Sequence, residues 1–248
     1  MPDSEIITRR NLPHWYVPGA PHFVTFRLAE SLPHTVLDRL REERSLLLRP
    51  FGSGIIPPPV REKIHKVCFG RFDRELDQGK GPTYLRQPNV AAIVRQSLYF
   101  LHDKQYHLLA YCILPNHVHV LFQPMDSLVV ASVESSPGEE TSDGISPLAQ
   151  IMHSLKSFTA HRINELLGRS GTFWQSESYD PWVRDDDELE RIVHYIALNP
   201  VKANLVRAVQ EWYFCSAHDR LLHDGSEHAW LDLSPQHRRD ACATTDAH

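Results

Sequence analysis

The chain lacks the features that mark several classes of protein. Its apolar runs fall far short of the roughly 18 residues that suggest a membrane span. A secretory signal has a basic segment followed by an apolar core, and the N-terminal sequence Met-Pro-Asp-Ser-Glu does not begin such a pattern. Its four cysteines are widely scattered over 248 residues, without the C-x-x-C pair of many zinc sites. We therefore expect a cytoplasmic protein with reduced thiols and no membrane contact.

The chain also lacks an excess of basic residues. Its formal net charge is −5 and its isoelectric point is near 6.3, whereas nonspecific nucleic-acid coats are usually basic. Much of the acidic charge is local, because one stretch holds Glu134, Glu139, Glu140 and Asp143 and another runs through residues 185–188. A basic groove elsewhere on the surface is compatible with this composition.

Hydrophobic residues make up 42% of the chain and charged residues 23%, as in an ordinary globular protein. Aromatic and β-branched residues predict a strand that begins at residue 22, and a short strand is predicted over 178–184. Apolar residues at helical spacing predict helices over 35–48, 89–102, 146–167 and 188–198, the last ending before Pro200. With a hairpin over 111–123, this order predicts an α+β fold in which helices cover one face of an antiparallel sheet and the other face is open.

The composition also predicts how the chain is divided. We expect an N-terminal extension over residues 1–21, a main domain over 22–206, and a C-terminal segment with a loose tail over 207–248. Within the main domain, we expect a helical insertion at about 45–88 and a flexible loop rich in Ser, Glu, Gly and Pro over 127–144. Residues 61–85 show no clear periodicity.

The most informative pattern is the pair His117-Val118-His119, which follows the turn sequence Leu-Pro-Asn in an apolar run. Residues two apart in a strand share a face, so the two imidazoles stand side by side and suit one divalent metal ion. A histidine-triad hydrolase also begins with this pair but needs a third histidine, at the position of Leu121. The pattern therefore predicts two metal ligands on a strand, without a histidine triad.

The helix near residue 195 supplies candidate partners for the histidines. Tyr195 and Asn199 are four residues apart, which places the phenol and the carboxamide on one helical face. Together with His117 and His119, Asn199 would give three neutral ligands that leave Mg²⁺ or Mn²⁺ with open positions for phosphate oxygens. Beside such a cation, Tyr195 could attack phosphorus, form a phosphotyrosine and release a 3′-hydroxyl.

Six segments of the chain resemble motifs of REP-associated tyrosine transposases, relatives of the single-tyrosine insertion-sequence transposases in the HUH endonuclease superfamily: residues 11–15, 22–28, 114–121, 152–159, 168–180 and 195–203. The resemblance implies a ferredoxin-like palm, a divalent metal, and cleavage of single-stranded DNA at palindromic hairpin repeats through a 5′-phosphotyrosine. It implies that His117, His119 and Asn199 hold the metal and that Tyr195 is the nucleophile. In the repeat-associated branch, the protein is expected to act as a monomer, and a dimer, as in the insertion-sequence relatives, is the alternative.

Other residues have less specific interpretations. Lys156, Arg162, Gln175 and Glu177 are candidates for DNA binding. A solvated helix face is the simplest alternative for Lys156 and Arg162, and a structural turn is the alternative for Gln175 and Glu177. Tyr179 is the competing nucleophile, and strand packing is its alternative role. A catalytically silent protein that binds DNA hairpins is the alternative to an enzyme.

Overall fold

The computed structural model describes residues 6–9, 13–52, 56–125, 146–176, 178–179 and 181–222. Among these residues, its helices and strands are β1 Ile6–Arg9, β2 Pro13–Tyr16, β3 His22–Arg27, α1 His34–Leu48, α2 Pro58–Asp77, α3 Pro88–Leu101, β4 Tyr106–Ile113, β5 His117–Pro124, α4 Pro147–Leu166, α5 Asp186–Lys202 and α6 Ser216–Leu222. None of the helices in these ranges is long and apolar enough to cross a membrane. The predicted loop over 127–144, residues 223–248 of the tail and Glu177 lie outside the described residues, and the predicted domain boundaries stay a prediction.

The main sheet has three antiparallel strands in the order β3, β5, β4, while β1 and β2 form a separate pair. Strands β4 and β5 make the predicted hairpin, and its turn is closed by a 2.9 Å hydrogen bond from Leu114 N to His117 O. The turn is buried, so its backbone groups need partners. Leu85 N donates to Pro115 O at 3.1 Å, and Leu28 N donates to Asn116 O at 2.9 Å. These bonds fix the backbone directly before His117.

The two faces of the sheet carry different helices. Val118, Val120 and Phe122 face a core that includes apolar residues of α3 and α4. The alternate residue Leu121 packs on the opposite side against Val193 and Ile196 of α5. The α+β class, with helices packed on an antiparallel sheet, is confirmed. The expectation of an open second face is wrong, because Leu121 and its apolar neighbours are covered there by α5.

Helix α5 extends further than the sequence predicts. It begins after Asp185, whose Oδ1 accepts a 2.7 Å hydrogen bond from Glu188 N, and it continues through Pro200 to Lys202. A proline removes one intrahelical donor, but Ala203 N still donates to Asn199 O at 2.9 Å in the last turn. The prediction that the helix ends before Pro200 is therefore wrong. The additional turn keeps Asn199 in helical register with Tyr195.

Both outer edges of the sheet are partly paired. The region predicted as a short strand meets β3 through isolated bridges, between Thr25 and Tyr179 and between His22 and Trp182. At the β4 edge, a backbone bridge joins Cys112 to Cys215, and both of these buried cysteines are reduced. The segment before α6 therefore packs against the sheet.

His22 should make the stability of this fold sensitive to acid. The ring is buried and stacks on Tyr16, with centroids 5.4 Å apart. Burial lowers the pKa of His22 from 6.5 to about 4, outweighing the hydrogen bond to Val17 O that favours the charged form. As the pH falls below 6.5, this histidine therefore takes up a proton in the unfolded chain before it does so in the folded protein. The free energy of unfolding consequently falls by up to about 3 kcal/mol by pH 4.

We expect His22→Gln to flatten this part of the pH profile, because glutamine does not titrate. The measurement is urea unfolding of both proteins at several pH values between 4 and 7. The quantity compared is the slope of the unfolding free energy against pH, so that any loss of stability that is the same at every pH cancels. Equal slopes in the two proteins would contradict the expected role of His22.

Candidate metal and tyrosine site

The structure brings together the four side chains that the sequence identifies as a candidate site. The Nε2 atoms of His117 and His119 are 3.1 Å apart, and the Asn199 Nδ2 atom is 3.1 Å from His119 Nε2. The Tyr195 ring lies 5.5 Å from the His119 ring, measured between centroids. Strand alternation explains the first pair, and the one-turn spacing on α5 explains the second.

Asp73 of α2 also belongs to this cluster, although the sequence interpretation missed it. Its Oδ1 lies 3.2 Å from His119 Nε2 and 3.9 Å from His117 Nε2, while its Oδ2 accepts a hydrogen bond from the Tyr195 hydroxyl. The ligand atoms of Asp73, His117 and His119 all lie within 4.8 Å of one another. Imidazole nitrogen and carboxylate oxygen are ordinary metal ligands, so the three residues form a candidate site for a divalent metal.

Each histidine ring is held through Nδ1, so Nε2 faces the cluster. Asn116 Nδ2 donates to Leu76 O at 2.9 Å, which fixes its amide and directs Oδ1 towards His117 Nδ1 at 2.7 Å. His117 Nδ1 must then carry the hydrogen. Thr25 Oγ1 lies 2.8 Å from His119 Nδ1, where it can accept in the same way. Such partners are typical of histidines that bind metals through the other ring nitrogen.

The electrostatics of the cluster favour a cation. Burial, followed by repulsion from His119, lowers the pKa of His117 to about 3, so this ring is neutral at pH 7, as a ligand must be. Burial alone would raise the pKa of Asp73, but the histidines and the Tyr195 hydroxyl hold it well below its ordinary value. The Oδ1 atoms of Asp73 and Asn199 are buried and accept no hydrogen bond from the described residues. One divalent ion would satisfy both oxygens.

The phenol of Tyr195 is a weak nucleophile in this arrangement. Burial raises its pKa, and the negative charge and hydrogen bond of Asp73 raise it further. Lys202, one of the residues that the sequence interpretation missed, places its Nζ 4.7 Å from the centroid of the Tyr195 ring. Its position seven residues after Tyr195, on the same helical face, is the signal that could have identified it. A cation held by Asp73 would offset the charge that raises the Tyr195 pKa.

A second group, His102, Asp103 and His107, has the residue types of a metal site but a less suitable hydrogen-bond pattern. Leu108 N donates to His102 Nδ1 at 3.1 Å, so Nδ1 is the acceptor nitrogen of that ring. In a neutral imidazole the other nitrogen then carries the hydrogen, and His102 Nε2 lies 3.3 Å from Asp103 Oδ2. This tautomer leaves neither ring nitrogen of His102 with a lone pair available to a metal ion.

The residues proposed to contact DNA are spread over different surroundings. Lys156 Nζ donates to the carbonyl oxygens of Gln175 and Ser176 at 3.0 and 3.2 Å. Arg162 is exposed on α4 and pairs with Glu165 at 2.7 Å. Gln175 lines a cavity beside Thr25. A role of Lys156, Arg162 and Gln175 in DNA binding stays a prediction.

Comparison with known proteins adds a family relationship. No protein-family model matches the chain. Over 111 residues it is 29% identical to a curated protein of Haemophilus influenzae (strain ATCC 51907 / DSM 11121 / KW20 / Rd), named "Putative REP-associated tyrosine transposase". The chain is similar to REP-associated tyrosine transposases. The aligned part is 44% of this chain and 57% of that REP-associated tyrosine transposase, so the chain spans little more than half of the relative's length. This similarity confirms the resemblance predicted from the motifs.

A solved structure described as a REP-associated tyrosine transposase bound to a REP hairpin also aligns with this chain. The alignment has a TM-score of 0.45 and 15% sequence identity, and it covers 90% of each chain.

Asp73→Asn tests the contribution of α2 to the cluster. Because the substitution removes the charged ligand, we expect it to weaken Mn²⁺ binding by at least about tenfold, measured by isothermal titration calorimetry. Glu75→Gln is the control, since it also removes one negative charge from α2, but Glu75 pairs with Arg39 of α1 and with Lys80, away from the ligand atoms. Unchanged Mn²⁺ affinity in Asp73→Asn would show that Asp73 is not a ligand.

Proposed function

We propose that the protein is a metal-dependent single-stranded DNA endonuclease and strand-transfer enzyme that acts at palindromic hairpin repeats. The observation that carries the proposal is the Tyr195 hydroxyl bonded to Asp73, whose other oxygen joins His117 and His119 in one ligand group. Hydrolysis by water would need the metal ligands but not a partly buried tyrosine beside them. The similarity to a curated REP-associated tyrosine transposase supports the same reaction class.

In the proposed reaction, the Tyr195 oxygen attacks a backbone phosphorus. A bond forms between this oxygen and phosphorus, the bond to the 3′-oxygen breaks, and the departing oxygen takes up a proton to give a 3′-hydroxyl. Asp73 Oδ2 accepts the Tyr195 hydrogen bond and is placed to receive the proton that the phenol loses. Attack of a 3′-hydroxyl on the phosphotyrosine reverses the step, so the same residues can rejoin strands.

Mg²⁺ or Mn²⁺ is the proposed ion, because the ligand set combines two imidazoles with carboxylate and amide oxygens. His117, His119, Asp73 and Asn199 would hold it. When bound, the ion would stabilise the charge that develops on the phosphate oxygens and favour the phenolate. His117 and His119 contribute rings already oriented by Asn116 and Thr25, which lowers the cost of assembling the site.

The proposed partner is single-stranded DNA that carries a palindromic hairpin, held mainly through phosphate contacts and shape. The proposed active unit is a monomer, because α2, β5 and α5 of one chain supply every member of the cluster.

The test is incubation of the protein with end-labelled single strands that contain the palindromic repeats flanking its own coding region. We expect one nick beside the hairpin in Mg²⁺ or Mn²⁺, no nick in EDTA, and no cutting of the fully paired duplex. Hairpin binding without any cleavage in either metal would contradict the enzyme proposal and support the alternative, a catalytically silent hairpin-binding protein.

A further inference from the structure

A cavity of about 160 Å³ lies beside the metal cluster, and neither the proposed ligands nor the proposed nucleophile explains it. It is lined by α1, α2, Thr25 of β3 and the segment near Tyr179. The two helices are tied together across its rim, where Arg71 of α2 pairs with Glu43 of α1 at 2.8 Å. The cavity is therefore bounded by connected elements rather than by one loop.

The cavity shares a wall with the candidate active site. Thr25 lines the cavity and also contacts His119 Nδ1 at 2.8 Å. Phe69 lines it too, with its ring centroid 6.3 Å from that of His119 and 5.9 Å from that of Tyr195. A group bound in the cavity would therefore be separated from the metal ligands by the thickness of one side chain.

The lining combines flat aromatic surface with positive charge. Phe69 and Tyr179 stack on each other, with centroids 4.4 Å apart and planes 19° apart, and Leu40 and Phe72 add apolar surface. Its charged side chains include four arginines and one glutamate: Arg27, Arg41, Arg44, Arg71 and Glu43. Aromatic rings and guanidinium groups are the surfaces on which unpaired bases stack, and arginines also bind phosphates.

We propose that this cavity is a binding site for one unpaired base of the DNA strand, next to the phosphate that Tyr195 attacks. The two exposed arginines of the lining, Arg41 and Arg71, would contact the phosphates beside that base. A base enters such a cavity only after it leaves the stack, which costs least in a single strand. The proposal rests on the proposed function and adds to it a physical reason why single-stranded DNA would be selected.

Cys68 provides a direct probe, because it lines the cavity and is half-buried, whereas Cys112 and Cys215 are fully buried. The experiment follows alkylation of Cys68 by N-ethylmaleimide in Cys242→Ser protein, using mass spectrometry. We expect a hairpin with an unpaired flank to slow alkylation at least about fivefold, and a blunt hairpin to have no such effect. An abasic nucleotide at one flank position should remove the protection.

Leu40→Trp supplies a second measurement, because the larger side chain would fill the cavity from α1. We expect it to weaken binding of the flanked hairpin at least about fivefold while Mn²⁺ affinity and blunt-hairpin binding stay unchanged. Leu46→Trp is the matched control, since Leu46 lies on the same helix, 57% exposed. If Leu40→Trp does not fold, Cys68 protection in the folded Cys242→Ser protein still decides the question.

The outcomes separate this proposal from the proposed function. Base-dependent protection of Cys68 without any nicking would support the base site and contradict the nuclease. Nicking without protection of Cys68, with every abasic position tolerated, would support the nuclease and overturn the base site. Absence of any protection by DNA would also overturn the base site.

Discussion

Tyr195→Phe is expected to abolish strand cleavage, lowering its rate by about 10⁴-fold or more, because the substitution removes the attacking oxygen. The ring can still pack against Phe23 and Phe69, so the fold should persist. Asp73 and both histidines also remain, and Mn²⁺ binding should therefore be retained. The measurement combines a nicking assay on the labelled hairpin with calorimetry of Mn²⁺ binding.

Tyr179→Phe is the matched control for that substitution. Tyr179 stacks on Phe69 but pairs with Thr25 through its backbone, which phenylalanine preserves. We expect this variant to keep nicking activity, because phenylalanine also retains the ring that stacks on Phe69 and lines the cavity. Loss of nicking in Tyr179→Phe with full activity in Tyr195→Phe would reverse the assignment of the nucleophile.

His119→Ala is expected to have a similarly large effect through the metal. His119 Nε2 is the central contact of the cluster, within about 3 Å of His117, Asn199 and Asp73. Its removal should weaken Mn²⁺ binding by more than about 100-fold and stop nicking. Hairpin binding should remain near that of the unaltered protein, because phosphate contacts elsewhere supply most of the affinity.

His194→Ala controls for the loss of a histidine next to the site. His194 is exposed on α5, immediately before Tyr195. The His194→Ala protein should bind Mn²⁺ and nick the hairpin like the unaltered protein. Retained nicking in His119→Ala, measured in metal-free buffer supplemented only with Mg²⁺, would count against a metal centre at these histidines.

Much of the candidate site could be predicted from short-range spacing. Strand alternation placed His117 beside His119, and the one-turn spacing placed Asn199 beside Tyr195, because these relations depend only on local geometry. No local pattern indicated that β5 and α5 meet on one face of the sheet. Only the family resemblance implied this contact. The contact itself depends on Leu121 packing against Val193 and Ile196.

Asp73 could not be found in the same way. On α2, Phe69, Phe72, Asp73 and Leu76 have the spacing of a buried helical stripe, but a carboxylate in the middle of the stripe removes the apolar periodicity. A buried aspartate is unusual unless it is paired. Its partners, His119 and Tyr195, lie 46 and more residues away in sequence, so only the tertiary structure reveals the reason for its burial.

The extension of α5 through Pro200 has a similar explanation. The local rule that the residue before proline avoids helical geometry predicts an earlier end. Asn199 remains helical in the structure because its side chain contacts His119 Nε2 and its neighbours Ile196 and Pro200 are buried. Tertiary contacts therefore outweigh the local preference at the position where the fourth proposed metal ligand is needed.

The most direct test of the central claim is to trap the reaction on a labelled hairpin, digest the complex with protease and nuclease, and locate the nucleotide by mass spectrometry. The proposed mechanism predicts a nucleotide joined through a 5′-phosphate to the peptide that contains Tyr195, formed with Mn²⁺ and absent in EDTA. Nicked DNA with no protein adduct, or with the nucleotide on Tyr179, would contradict it.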